Sequence, residues 1–252
     1  METSRVVPDN AALARRWQDL AVAAARIGHD FRNVLSGTMG LLQLALPSVP
    51  TSNPANALLH ETLSTCRESL VQIERFELLG RRLPKSWRPA AALDVVSALV
   101  AGLELPEGVR IKRDLPKSLP RVRLDSESLQ LALQQLLMNA VEACGDSGRV
   151  TIQGNVQALS AMECRDLYGA ALPGQHVVIT IADSGQGISP AVCRKIFAEP
   201  LFTTKANHFG LGLTLAFLTL HAFQAGFCLA PAKPNGTEAR VYLPAEVKGS
   251  SG

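Results

Sequence analysis

The sequence predicts an α plus α/β chain. An N-terminal helical hairpin pairs with a second copy into a dimeric four-helix bundle, and a C-terminal α/β sandwich follows. Three observations carry this expectation. Residues 11–46 repeat apolar or small side chains in alternating steps of four and three: Leu13, Trp17, Leu20, Ala24, Ile27, Phe31, Val34, Thr38, Leu41 and Ala45. That is a heptad seam. A second seam, Leu59, Leu63, Cys66, Leu70 and Ile73, follows a proline-bounded break. Beyond residue 90 the period changes, and strand-like and helix-like stretches interleave, as in helices laid over a mixed sheet.

The elements follow in order. Asp9 and Asn10 are N-cap candidates for the first helix, and Pro47 and Pro50 end it. Asn53 and Pro54 supply a cap and a first helical residue for the second helix, with Gly80 at its end. Two long helices on a short loop make an αα-hairpin. One hairpin buries both seams poorly, whereas two hairpins bury them in a four-helix bundle, so a homodimer is expected. The domain boundaries read as a hairpin over 9–82, a linker over 83–90 within "RRLPKSWRP", and an α/β domain over 91–247. In that domain "VRIKRDL", "PRVRL", "GRVTIQGNV", "HVVITIAD", "GFCLAP" and "TEARVYLP" read as strands. Residues 125–145, "PAVCRKIF" and "GLGLTLAFLTLHAFQAG" read as helices, and 158–175 as a loop with a short helical piece.

Composition narrows the function classes. At 252 residues with 47% hydrophobic side chains, the chain has enough apolar surface for a core and favours two domains over one. A net charge of +3, spread along the chain, argues against nucleic acid and membrane as partners. The five cysteines lack zinc-type spacing and read as reduced thiols of a cytoplasmic protein. No apolar run approaches the roughly 20 residues that span a bilayer, and "METSRVVPDN" has no signal-peptide apolar region.

The stretch "IGHDFRNV" holds the candidate chemistry of the hairpin. His29 lies two residues from both Ile27 and Phe31, which places it about 200° from the seam and facing outward. A lone histidine there reads as a solvated surface residue. Its neighbours argue for more. Asp30 is adjacent, Asn33 is one turn on, and Gly28 removes bulk beside the ring at a helix cost of roughly 1 kcal/mol, a cost Gly37 and Gly40 repeat. A neutral imidazole can attack a phosphoryl group. A carboxylate can take the proton from its other nitrogen, and an amide one turn away can hold a water for the reverse hydrolysis. His60, on the second helix, lacks an adjacent acid.

"GHDFRN" resembles the H-box of sensor histidine kinases, although Val34 stands where the family often has proline. Further elements follow in the family's order. "LQQLLMNAVEA" resembles the N-box, "ADSGQGIS" the first glycine box, "IFAEPLFTTK" the F-box and start of an ATP lid, "FGLGLTLA" the second glycine box, and "NGTEARVYLP" the closing strand. The resemblance covers about residues 15–245. It implies a dimerisation and phosphotransfer hairpin followed by a Bergerat-type ATP-binding domain, with a short lid closest to the nitrogen-regulation type. It also implies roles. Asn139, with Gln135, would hold Mg²⁺. Asp183 would accept from the adenine amino group, and Gly185 and Gly187 would let the backbone close on the base. Gly210, Leu211, Gly212 and Leu213 would offer backbone N–H groups to phosphate at a helix N-terminus, Lys205 would add charge, and Thr237 of the closing strand would be among the nucleotide-binding residues.

Departures from the family qualify this. Ala206–Phe209 replaces a glycine-rich run, which predicts a stiffer lid, and Ala198 is an extra residue in the F-box. Gln135 stands where ATPases of the superfamily carry a water-activating glutamate, which favours phosphoryl transfer over hydrolysis. The expected function is an ATP- and Mg²⁺-dependent protein-histidine kinase, with His29 phosphorylated, Asp30 as base and Asn33 in the reverse reaction. The phosphoryl group would pass to an aspartate of a receiver domain on a separate response-regulator protein. With only about ten residues before the first helix, input is expected from a sensory partner or at the bundle. The alternatives are a phosphotransfer intermediary or pseudokinase that keeps the fold without using ATP, and an ATPase or serine kinase of the same superfamily.

Overall fold

Asn53 starts the clearest piece of local encoding. Its backbone is extended (φ −83°, ψ 127°), its side chain accepts from the Ala55 N–H at 2.9 Å, and Pro54 occupies the first helical position, where a missing N–H costs nothing. In this computed structural model, which describes residues 10–80, 87–199, 202–203 and 210–246, the chain divides into two units. One comprises Arg16–Arg82; the other comprises Met1–Arg15 with Leu83–Gly252. Asp9, expected as a cap, lies outside the described residues.

The first unit is built from α1 (Asn10–Ala45) from Arg16 onward, a 3₁₀ turn (Leu46–Ser48) and α2 (Pro54–Leu79). Asn56 donates from Nδ2 to the Val49 carbonyl at 2.8 Å and closes the loop. The seam of α2 lies as expected, with Leu63 and Cys66 buried and Leu59, Leu70 and Ile73 partly so. The seam expected on α1 is buried only at its start, at Leu13 and Trp17. Leu20, Ile27, Phe31, Val34 and Leu41 are 37–70% exposed. The face of α1 turned to α2 is one residue further round: Ala21 and Ala25 at Gly80, Gly28 at Ile73, Phe76 and Glu77, and Arg32 at Glu74 and Glu77. The reason is size. A Cβ on Gly28 would stand 3.3 Å from Phe76 Cβ, so the small-residue stripe lets the helices approach closely and leaves the large apolar stripe outside. Gly80 ends α2 with an ordinary φ of −82°. Its requirement is space, since a Cβ there would collide with Ala25 Cβ.

The second unit is a two-layer sandwich. After Ala90 come α3 (Ala92–Ala101), β1 (Gly108–Asp114), α4 (Ser126–Cys144), β2 (Ser147–Leu159), α5 (Ala161–Arg165), β3 (Tyr168–Gly169), β4 (Gly174–Asp183), α6 (Pro190–Ala198), α7 (Leu211–Ala222), β5 (Gly226–Pro231) and β6 (Thr237–Pro244). The sheet order is β1-β2-β4-β6-β5-β3; β1 and β2 are parallel and every other pair is antiparallel. Strand alternation sorts the faces. Val150, Ile152, Val177, Ile179, Ile181, Val241, Leu243 and Phe227 lie on one face in register and are all buried, as are Leu129, Leu133, Leu136 and Leu137 of α4. On the other face Val178, Tyr242 and Cys228 form a smaller core with Leu159 and Leu167, against which Cys164 of α5 and Ala171 pack.

Two expectations fail here. "PRVRL" forms no strand. Val122 alone bridges Ala90 and Ala245, because Pro120 and the Asp125 cap of α4 leave too few residues for a ladder. The helix α3 is absent from the expected elements, although "ALDVVSALVA" carries a helical period, with Ala92, Val95 and Val96 buried and Asp94 and Ser97 exposed. Of the stretch read as a linker, residues 81–86 lie outside the described residues. Trp87 stacks edge-on against Phe223 at 5.5 Å, and the N–H of Ala90 donates to Val122.

Candidate nucleotide site and phosphoacceptor

The alternation that buries Val177, Ile179 and Ile181 puts Asp183 at the next inward slot of β4, and it is only 6% exposed. A carboxylate placed there needs donors. Gly185 N–H reaches Oδ1 at 2.8 Å and Thr237 N–H reaches the same oxygen at 3.2 Å. Burial pushes the Asp183 carboxyl above its ordinary pKa, and these two N–H groups pull it back in part. Both bonds land on Oδ1, which leaves Oδ2 as the acceptor for an incoming donor.

Three glycines make the enclosure. Gly236 has φ +105°, and a Cβ on it would collide with the Asp183 carbonyl oxygen and stand 2.9 Å from Oδ1. On Gly185 a Cβ would strike the Ala143 carbonyl. Gly187 has φ +74° and lies against Gly236. Ser184 ties this loop to β2 by exchanging hydrogen bonds with Arg149, at 2.9 Å through its hydroxyl and 3.0 Å through its N–H. Gly236, Ala143 and Ser184 are absent from the sequence-derived candidates. Only Gly236 carries a signal there, in the "NG" step before Thr237.

The remaining nucleotide-site candidates line up along α4. Gln135, Asn139 and Ala143 are spaced one turn apart, so one face of that helix runs from the second glycine box to the Asp183 cluster. Gly210, in the left-handed conformation (φ +65°, ψ 20°), starts α7. A Cβ on Gly212 would lie 3.1 Å from Gln135 Oε1 and 3.7 Å from Asn139 Nδ2. The first-turn N–H groups of Leu211, Gly212 and Leu213 have no acceptor within their helix, and the side chain of Leu211 is buried. Two neutral amides beside such a helix start suit Mg²⁺ carried in on phosphate, because that ion keeps waters and takes oxygen ligands. Lys205 and the substituted lid run Ala206–Phe209 lie outside the described residues.

In the hairpin unit His29 and Asp30 are exposed, with side chains 67% and 75% accessible. His29 Nδ1 lies 3.6 Å from Asp30 Oδ1 and 3.5 Å from Asn33 Nδ2. One ring nitrogen is thus turned to both neighbours. His29 stands about 100° from Gly28, on the flank of the packed face and not opposite it. Gly28 itself faces α2, so it clears no space beside the imidazole, contrary to the sequence reading. At Gly37 and Gly40 an added Cβ would meet nothing within 4 Å.

Comparison with known proteins places these features. Residues 124–247 match the family described as histidine kinase-, DNA gyrase B-, and HSP90-like ATPase. The signal transduction histidine-protein kinase AtoS of Escherichia coli is 28% identical over 95% of this chain and 37% of its own length. The sensory histidine kinase/phosphatase NtrB of Salmonella typhimurium is 28% identical over 86% of this chain and 60% of its own. The chain thus spans about two fifths to three fifths of these relatives. In fold it resembles full-length ShkA, solved in complex with AMPPNP, with a TM-score of 0.68 at 20% identity over 90% of this chain and 46% of that one. Residues 124–247 belong to the histidine kinase-, DNA gyrase B-, and HSP90-like ATPase family, and the chain as a whole is similar to sensor histidine kinases.

Proposed function

We propose that the chain autophosphorylates on His29 with ATP and passes the phosphoryl group to an aspartate of a receiver domain on a separate response-regulator protein. The observation that carries this reading is the imidazole whose Nδ1 faces both Asp30 and Asn33 while the ring stays exposed. With Nδ1 protonated toward Asp30, the lone pair on Nε2 attacks the γ-phosphorus. The Nε2–P bond forms, the bond from phosphorus to the bridging oxygen breaks, ADP leaves, and Asp30 takes the Nδ1 proton. Asp183 Oδ2 accepts from the adenine amino group, and Gly185, Gly187 and Gly236 admit the base. The start of α7 binds the phosphates, and Lys205 adds charge to them. Gln135 and Asn139 hold Mg²⁺, which neutralises phosphate charge when bound. Asn33 places water for dephosphorylation of the receiver.

The exposed stripe Leu20, Ile27, Phe31, Val34, Leu41 and Leu44 supports a homodimer. No helix among the described residues is long and apolar enough to cross a membrane. A reaction that consumes ATP and a chain with reduced thiols fit the cytoplasm, with a sensory partner delivering input. The test is incorporation from γ-labelled ATP. Acid-labile label on the wild type and on His60→Ala, absent from His29→Ala, is expected. Label that persists in His29→Ala sinks the assignment. Bound ATP without label on the wild type favours the pseudokinase.

A further inference from the structure

Arg32 lies one turn after His29 and on the face of α1 turned to α2. Its guanidinium grips Glu77 with two bonds, Nε to Oε1 at 2.8 Å and Nη2 to Oε2 at 2.6 Å, and Nη1 reaches Glu74 Oε1 at 3.4 Å. Gly28 lies against the same stretch of α2, with Phe76 Cβ 3.3 Å and Glu77 Cγ 3.4 Å from where a Cβ on that glycine would be. The bond to Arg32 holds the Glu77 carboxyl below its ordinary range, and the nearby imidazole of His29 pulls it the same way. His29, Arg32, Glu74 and Glu77 therefore form one electrostatic cluster spanning both helices.

Resting on the assignment of His29 as the phosphorylated residue, we propose that Arg32 is a positioning residue that changes partners: Glu77 holds it before phosphorylation, and the phosphoryl group on His29 takes it afterwards. Phosphorylation adds about −1.5 to −2 charge and three acceptor oxygens. Two carboxylates one turn apart, Glu74 and Glu77, already face that region, and a dianion arriving there is repelled unless a cation turns to it. Arg26 and Arg32 each lie three residues from His29, where side chains are about 5–6 Å apart at Cβ; helical side chains lean toward the N-terminus, so Arg32 leans back over His29 while Arg26 leans away from it. The planar fork of Arg32 matches a phosphoryl group as well as it matches a carboxylate. The exchange strips Glu74 and Glu77 of the cation that ties α2 to α1, so the hairpin itself registers the phosphorylated state.

The experiment is ³¹P NMR of the full chain phosphorylated with ATP and desalted, titrated from about pH 5 to 8.5, in wild type, Arg32→Gln, Arg32→Lys and Glu77→Gln. An adjacent guanidinium favours the dianion, so the phosphohistidine midpoint in wild type is expected below that of Arg32→Gln by about half a pH unit or more. Arg32→Lys should fall between, and Glu77→Gln should keep the low midpoint although the α1–α2 pair is gone. The Arg32 Nε–H signal, assigned by its loss in Arg32→Lys, should also move on phosphorylation of the wild type, which tests the exchange even where Arg32→Gln fails to fold. Equal midpoints in wild type and Arg32→Gln, or an Arg32 signal that phosphorylation leaves in place, overturns the proposal alone. A phosphorus signal that survives His29→Gln overturns the assignment of His29, and this proposal with it.

Discussion

Asp183→Asn separates recognition from folding at the nucleotide site. The substitution is isosteric, and the amide oxygen can still accept from the Gly185 and Thr237 N–H groups that now bond Oδ1 at 2.8 and 3.2 Å. What changes is the second atom, an acceptor in the carboxylate and an NH₂ donor in the amide. Facing an adenine amino group, a donor meets a donor. A lost hydrogen bond to a charged group costs about 1.5–3 kcal/mol, which is roughly a 10- to 150-fold loss of affinity. Stability should move the other way. Burial raises the folded-state pKa of Asp183, so the native state binds a proton more tightly than the unfolded chain does. Its contribution is fullest below the ordinary carboxylate pKa and is lost as pH rises through the raised value. At neutral pH the buried charge is therefore a cost, and Asn removes it. Each 1 kcal/mol recovered raises Tm by about 2–4 °C in a domain of this size. Calorimetric titration with a non-hydrolysable ATP analogue and melting of the ligand-free protein measure both effects. An affinity within about threefold of wild type, well short of the loss expected for a charged hydrogen bond, refutes the adenine role of Asp183. A lower Tm at neutral pH refutes the account of its burial.

Asn33→Ala is expected to keep autophosphorylation and lose receiver dephosphorylation, with both rates measured on one preparation; equal loss of both makes Asn33 structural. Leu41→Glu should weaken the proposed dimer by putting a charge on the exposed stripe, read as a fall in mass by light scattering with the helical signal retained; an unchanged mass removes Leu41 from the interface. The Arg32–Glu77 pair predicts acid sensitivity of the hairpin. Because Arg32 depresses the Glu77 carboxyl, the pair's stabilisation is present above the ordinary glutamate pKa of about 4.3 and lost as pH falls through the lower folded value. Glu77→Gln should flatten the pH dependence of melting below that range, and a wild-type slope in Glu77→Gln speaks against the pair. Gly236→Ala should cost more nucleotide affinity than Gly37→Ala, since the first Cβ meets the Asp183 carbonyl and the second meets nothing; equal affinities would show that the enclosure yields.

Asp183 is legible as a candidate through the glycine-box resemblance, and strand alternation explains its burial. In "VVITIAD" the inward positions run Val177, Ile179, Ile181, Asp183, so an acid appears where a core residue is due, two residues before a glycine. Neither solvation nor a turn explains an acid at that slot, and the buried carboxyl with its two N–H donors is the outcome. Gln135 and Asn139 are legible through the N-box resemblance, and their four-residue spacing puts them on one face of α4. What the sequence concealed is what the backbone does across space. That Gly236 backs onto Asp183 and Gly185 onto Ala143 depends on strand β6 lying beside β4 and on the end of α4 lying over both, and no local pattern states it.

The hairpin teaches the opposite lesson, that a correct period can be read onto the wrong face. In α1 two stripes share the heptad spacing: one large and apolar through Leu20, Ile27, Phe31, Val34 and Leu41, and one small through Ala21, Ala25 and Gly28, which Arg32 continues. Hydrophobicity favours the first as the seam. Close approach favours the second, because Gly28 and Ala25 let α2 come near enough for Gly80 to touch Ala25 and for Glu77 to grip Arg32. The chain needs both. The small stripe closes the hairpin, and the large stripe stays exposed, where the proposed second hairpin would pack. The roughly 100° between the stripes also sets where His29 falls, on the flank between α2 and the open face, beside the Arg32 cluster and still exposed.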